Sequence, residues 1–209
     1  MSKLVYFGHA CFLIESPDYR LIIDPYAHDT VPNLKLPANL VADKVICSHD
    51  HADHNARHLV KLSSKKPQID HFFLPVPHDR EEGMERGFNN INVINVDGYQ
   101  VVHLGDTGCV PETAILLKFK NCDVLLAPIN GQYTINPQEL KLIVEIVNPR
   151  IVIPMHYFNE KKQSGYPDGD MFSLFKKEFP GAQLLNSDTL DLKAWKDYKG
   201  ALIFNKYRQ

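Results

Sequence analysis

Six consecutive residues, His49-Asp50-His51-Ala52-Asp53-His54, concentrate three imidazoles and two carboxylates in one short stretch of a 209-residue chain. Side chains two apart in an extended segment point the same way, so His49 and His51 converge on one cation. As the chain turns onward, the adjacent Asp53 and His54 face a second cation beside the first. Imidazole with carboxylate suits zinc, iron or manganese, and such donors around an open position suit hydrolysis. The blander reading is a polar helix start capped by Asp50 or Asp53. Three histidines spaced for two metals around that cap argue against it. The chain holds ten histidines, and four of them, His49, His51, His54 and His58, fall within ten residues.

Several elements must position this hexapeptide. Residues 44–48 read as a short buried strand leading into it, and 52–63 as a helix leading out, with Leu59, Val60 and Leu62 on its later turns. Upstream, residues 4–7, 10–15 and 20–24 read as strands around a Ser16-Pro17-Asp18 turn. Downstream, 72–74 leads into a polar loop to Asn90 that contains Gly83 and Gly87 and reads as mobile. Residues 91–96 and 99–104 flank Asp97-Gly98, a strong hairpin signal. Residues 123–127 and 150–154 form further buried strands. Asn136-Pro137-Gln138-Glu139 supplies an N-cap, a proline at the first helical position and a glutamate three residues after the cap, predicting a helix to about Val147. A short helix over 171–179 and a strand over 201–205 complete the pattern. Hairpins with interspersed helices predict an α/β sandwich of two mixed sheets and not a doubly wound parallel fold. Residues 19–24 echo 99–106, and 44–49 echo 150–156, each a strand ending in a polar residue, which predicts a common edge.

The hexapeptide matches all fixed positions of H-x-H-x-D-H, the signature of the metallo-β-lactamase superfamily. Gly8-His9-Ala10 to Glu15 and Leu21-Ile22-Ile23-Asp24-Pro25 resemble the opening of a short branch that includes the L-ascorbate-6-phosphate lactonase-like proteins. His103-Leu104-Gly105-Asp106-Thr107-Gly108 resembles its bridging-aspartate motif, and Ile153-Pro154-Met155-His156-Tyr157 its final histidine motif. The resemblance runs in consistent order over about residues 4 to 160. It implies a four-layer αββα sandwich over residues 1–209 as one domain. It also implies that His49, His51 and a third histidine bind one metal, that Asp53, His54 and His156 bind a second, and that Asp106 bridges. His78 and His71 compete for the third place. Pro77-His78-Asp79 followed by Arg86-Gly87-x-Asn89 resembles the branch's version of this loop and selects His78. The two divalent ions are expected to be zinc, with manganese, nickel and iron as alternatives.

Around these ligands, Asp24 and His103 read as supporting groups, since a carboxylate at a strand end can accept the free N–H of a ligand imidazole. His9, Arg86 and Asn89 read as substrate contacts, with Arg86 a clamp for phosphate or carboxylate. His28 and His58 read as surface residues. The chemistry expected is hydrolysis of an ester, lactone or phosphoester of a small molecule by a metal-activated hydroxide, with Asp53 orienting the water and passing on a proton. A redox di-iron protein and a non-catalytic metal or ligand sensor are the competing readings.

Composition trims the alternatives. With 23 Lys+Arg against 25 Asp+Glu the formal charge is −2, and Lys65-Lys66, Lys161-Lys162 and Lys176-Lys177 are dispersed, so no basic stripe marks a nuclease or other nucleic-acid binder. No apolar run approaches the roughly 20 residues of a membrane span. Cys11, Cys47, Cys109 and Cys122 form no C-x-x-C pair and read as reduced thiols, consistent with a cytoplasmic protein. Partners are expected to be a small-molecule substrate and, with no signal for or against it, further copies of the chain.

Overall fold

The computed structural model describes residues 2–160 and 162–209. In chain order its strands are β1 (Lys3–Gly8), β2 (Cys11–Glu15), β3 (Arg20–Ile23), β4 (Val41–Ala42), β5 (Lys44–Ile46), β6 (Lys61–Leu62), β7 (Asp70–Pro77), β8 (Phe88–Val96), β9 (Tyr99–His103), β10 (Val124–Pro128), β11 (Ile151–Met155), β12 (Gln183–Leu185), β13 (Thr189–Asp191) and β14 (Gly200–Phe204). The helices are α1 (Thr113–Leu116), α2 (Pro137–Val147) and α3 (Met171–Glu178). One sheet has the order β13-β1-β2-β3-β5, a second β12-β14-β11-β10-β9-β8-β7, and β4 pairs with β6 in a two-stranded ribbon. Both large sheets are mixed. In the first, β1, β2 and β3 alternate in direction, while β5 runs parallel to β3. In the second, β7, β8 and β9 form an antiparallel meander, and β9, β10, β11, β14 and β12 run parallel.

Alternation along the strands explains why apolar faces are needed on both sides of each sheet. Leu4, Tyr6, Phe12, Ile14, Leu21 and Ile23 point inward to meet Ile94, Val101, Leu126, Ile153 and Leu202 of the second sheet. The intervening Val5, Phe7, Leu13 and Ile22 face outward. On the far side of the second sheet, Val93, Val102, Leu125 and Val152 are covered by Leu140, Ile143 and Val147 of α2 and Phe175 of α3. Helix α2 begins where the sequence predicts: the Asn136 side chain accepts from the N–H groups of Gln138 and Glu139, and Glu139 reaches back to the Asn136 N–H.

The outer layer over the first sheet departs from expectation. The predicted helix over 52–63 is replaced by one 3₁₀ turn, Arg57–Leu59, and strand β6. Backbone groups that a helix would pair internally are engaged elsewhere: Ala56 N–H donates to Pro25 C=O at 2.7 Å, and Ala52 C=O accepts from Ala27 N–H at 2.9 Å. Tyr26, Val31, Leu34, Leu36, Leu40 and Val60 cover the sheet from irregular chain instead. The loop after β7 is also better tied than its composition suggests. The Asp79 carboxylate accepts from the N–H groups of Glu81, Gly83, Glu85 and Arg86 at 2.7–3.1 Å.

Candidate metal centre

The candidate donors lie in the segments that leave strand ends. His9 follows β1, Asp24 β3, His49 to His54 β5, His78 β7, Asp106 β9 and His156 β11. Within each sheet the contributing strands share one direction, so their carboxyl ends gather at one edge. Sharp exits turn the side chains inward. His9, Asp24 and His156 adopt left-handed backbone with φ of 54°, 49° and 52°, an uncommon state for a residue with a Cβ. Gly105, also left-handed at φ 55°, leaves no room for a Cβ, which would overlap Asn89 Oδ1 and Ser48. Gly108 is packed directly on the backbone of His78 and Asp79. It thereby lets the β7 and β9 ends approach.

Three donor groups result. His49, His51 and His78 form one, His9, Asp53, His54 and His156 another, and His49, His54 and Asp106 lie between. Asp106 touches both sides: its Oδ1 is 3.2 Å from His54 Nε2, and its Oδ2 is 3.2 Å from His156 Nε2, 3.5 Å from His78 Nε2 and 4.0 Å from His49 Nε2. His51 Nδ1 and His78 Nε2 are 3.2 Å apart. Two donors on one cation at about 2.1 Å sit roughly 3.0–3.5 Å apart, so these separations fit a shared ion. The hydrogen-bond pattern fits too. His49 Nε2, His54 Nε2, His9 Nε2 and Asp106 Oδ1 are buried without a hydrogen-bond partner. Buried polar atoms are rarely left so. Four such atoms among these donors fit a metal-binding pocket.

A relay behind the donors sets their tautomers. Asp24 is fully buried and accepts three bonds: Ser48 N–H at 2.6 Å, Ser48 Oγ–H at 2.6 Å and His54 Nδ1–H at 2.8 Å. Because the Ser48 hydroxyl gives its proton to Asp24, its oxygen accepts from His49 Nδ1–H at 2.9 Å. Both rings therefore aim Nε2 at the donor cluster, where each offers a lone pair once the ring is neutral. His103 works differently: its Nε2–H donates to Ala10 C=O at 2.8 Å, and its Nδ1 accepts from Gly105 N–H at 3.1 Å. It braces the turn before Asp106 and holds no ligand imidazole.

Electrostatics follow from burial. Desolvation, helped by neighbouring His54, pushes His49 down to about 3, and desolvation with His156 does the same to His9. His54 is also penalised by burial, yet the Asp106 and Asp24 carboxylates outweigh that and raise it well above the usual imidazole range. Burial pushes Asp53 and Asp106 up, but the surrounding imidazoles hold both below the usual carboxylate range.

The group opens onto a cleft of about 290 Å³ whose floor includes His51, Asp53 and Asp106 and whose walls include Arg86, Tyr133 and Tyr166. The Arg86 guanidinium carbon lies 4.5 Å from the centre of the Tyr133 ring. Tyr166 donates from its hydroxyl to Thr30 C=O at 2.6 Å, and burial and the Asp53 charge raise its pKa.

Of the residues singled out in the sequence, Asp24, His49, His51, Asp53, His54, His78, Asp106 and His156 gather here, and Arg86 reaches the cleft. His71 does not join them; its Nε2 bonds Asn92 Oδ1 across β7 and β8 at 2.9 Å. Two expected substrate contacts are corrected. Asn89 is fully buried, with its amide nitrogen donating to Leu104 C=O at 2.8 Å and its oxygen accepting from Asp106 N–H at 2.8 Å. It shapes the Asp106 loop. His9 is 4% exposed and sits behind Asp53, away from the cleft. His28 and His58 are exposed. Tyr133 lies in residues 130–134, a loop the sequence reading gives to substrate contact, whereas Ser48 and Tyr166 escaped that reading. Only the position of Ser48 directly before His49 carried a signal; Tyr166 arrives on irregular chain.

Comparison with known proteins gives the family. A profile of the beta-lactamase superfamily domain matches residues 3–156. A UPF0173 metal-dependent hydrolase of Korarchaeum cryptofilum is 26% identical over 95% of this chain and 100% of its own. The UPF0173 protein PF0020 of Pyrococcus furiosus is 32% identical over 74% of this chain and 83% of its own. Among solved structures, a protein of Thermotoga maritima described as a Zn-dependent hydrolase of the metallo-β-lactamase superfamily superposes with a TM-score of 0.74 at 28% identity, covering 97% of this chain and 98% of that one. The chain belongs to the metallo-β-lactamase superfamily and is a metal-dependent hydrolase.

Proposed function

We propose that the protein hydrolyses an ester, lactone or phosphoester bond of a small anionic molecule at a two-cation centre. The observation that carries this reading is the position of Asp106, within 3.2–4.0 Å of imidazoles from both the His49, His51, His78 group and the His54, His156 group. In it, His49, His51 and His78 would hold one ion, Asp53, His54 and His156 the other, and Asp106 would serve both. Divalent ions in these donors, zinc first by ligand type, would supply Lewis acidity and a water of lowered pKa.

The chain's own groups do the rest. Asp53 faces the cleft with its carboxylate held ionised, and so can orient the attacking water, accept its proton and pass that proton to the leaving group. Arg86 is stacked on Tyr133 without an ion-pair partner among the described residues, whereas neighbouring Arg80 is engaged with Glu139 at 2.5 Å. Its N–H donors are therefore available for a phosphate or carboxylate of the substrate. The cleft's modest volume and the chain's charge of −2 favour a small molecule over nucleic acid.

A panel of lactones, phosphodiesters, thioesters and aryl esters, run separately with zinc, manganese and nickel, tests the reaction class and metal together. Asp53→Ala and His51→Ala should lower turnover by orders of magnitude while the far-ultraviolet circular dichroism stays unchanged. Full activity in either metal-replete variant overturns the assignment. Elemental analysis of protein purified without added metal addresses the redox alternative, which requires iron.

A further inference from the structure

His9 has no role in the reading above, yet its surroundings are those of a donor. It lies in the tight connection between β1 and β2 with φ 54°, where glycine would sit without strain and a side chain costs conformational energy. Its ring is almost wholly buried, and its Nε2 has no hydrogen-bond partner. Asp53 Oδ2 lies 3.3 Å away without forming a hydrogen bond, a separation that matches two donors on one ion better than an aligned imidazole–carboxylate bond. The ring centre is 4.0 Å from that of His156 and 5.0 Å from that of His54. The backbone fixes this pairing: His156 N–H donates to His9 C=O at 3.0 Å, and Tyr6 Oη–H donates to the same oxygen at 3.0 Å. Two left-handed residues on different sheets are thus tied back to back with their imidazoles turned into one space.

We propose that His9 is an additional protein ligand of the second cation, bound through Nε2 alongside Asp53, His54 and His156. With Asp106 the second site then offers five protein donors, against three imidazoles and Asp106 at the first. Five donors exceed what a tetrahedral zinc site uses and suit a five- or six-coordinate ion such as manganese, iron or nickel. The two sites differ accordingly in cation preference. The inference rests on the two-cation reading.

His9→Gly tests it, because glycine relieves the left-handed backbone and the metal-free variant should melt no lower than the parent. The second cation of His9→Gly, counted by elemental analysis and titrated against a chelator, should bind at least ~10–100-fold more weakly while the first is retained. Loss of affinity alone would also follow if His9 merely oriented Asp53, so crystals of the manganese-loaded parent decide the matter. Anomalous maps should place the ion within about 2.3 Å of His9 Nε2. A gap beyond about 3 Å, or unchanged affinity in His9→Gly, overturns the proposal. His54→Ala is the control: if it loses the second cation while His9→Gly keeps it, only the role of His9 falls. If the parent itself binds only one cation, the two-cation reading falls and the role of His9 with it.

Discussion

Asp24 shows how much a single buried carboxylate governs here. It holds His54 directly and His49 through the Ser48 hydroxyl, one imidazole from each side of Asp106. An amide in its place keeps the shape, but its NH2 then faces a donor in either orientation: Ser48 N–H at one position, or the Ser48 hydroxyl and His54 Nδ1–H at the other. Asp24→Asn should therefore weaken metal binding by about 10–100-fold, the usual effect of removing a group that orients a ligand imidazole. Chelator competition measures this, and in the proposed two-cation centre both ions should be affected, because Asp24 holds one imidazole of each site. Arg86 works at the other face of the site. Arg86→Ala should raise KM for phosphorylated or carboxylated substrates and leave neutral esters unchanged; an equal rise for both would remove the guanidinium from substrate recognition.

At the scale of elements, the loop between β7 and β8 behaves as a built part of the site. Asp79 gathers four N–H groups of residues 81–86, and His78 N–H donates to Gly87 C=O at 3.0 Å. One loop thus carries a donor, His78, and the rim residue Arg86. In Asp79→Ala the amides of Glu81, Gly83, Glu85 and Arg86 should lose protection in hydrogen exchange, and KM should rise as in Arg86→Ala. Protected amides with unchanged KM would show that the loop is held by other contacts. Helix α2 makes a contrast, since it covers the far face of the second sheet and none of its side chains lines the cleft. Asn136→Ala removes its cap and should cost about 1 kcal/mol in denaturant unfolding without changing turnover. The helix predicted over 52–63 failed for a reason at this same scale. Its apolar spacing was real, and Val60 is buried, but the Pro25–Ala27 segment took the backbone partners a helix would have used.

For the whole molecule, the decisive arrangement is that strands of two sheets deliver donors at one edge, so a cation held there would fasten the sheets to each other. A ligand that binds only the folded state stabilises it by mass action. Dialysis against a chelator should lower Tm, and restoring zinc or manganese should recover it. His54 is held above the usual imidazole range before a cation arrives, by Asp106 and Asp24 against the penalty of burial. Loading must displace its Nε2 proton, so affinity should rise with pH until His54 is deprotonated in the free protein. Proton release, read by calorimetric titration in buffers of different ionisation enthalpy, checks the sign. Among the described residues, no helix is long and apolar enough to cross a membrane. The sequence by itself determined the donors' chemistry, the opening hairpins, the α2 cap and the mixed-sheet class, because each is encoded in near neighbours: a two-residue spacing, a strand's alternation, a capping box. The tertiary structure alone decided what depends on pairing distant strands. The β3–β5 pairing brings Asp24 to Ser48, and the link from His9 to His156 joins the two sheets. Neither carries a local signature, since the partners lie 24 and 147 residues apart.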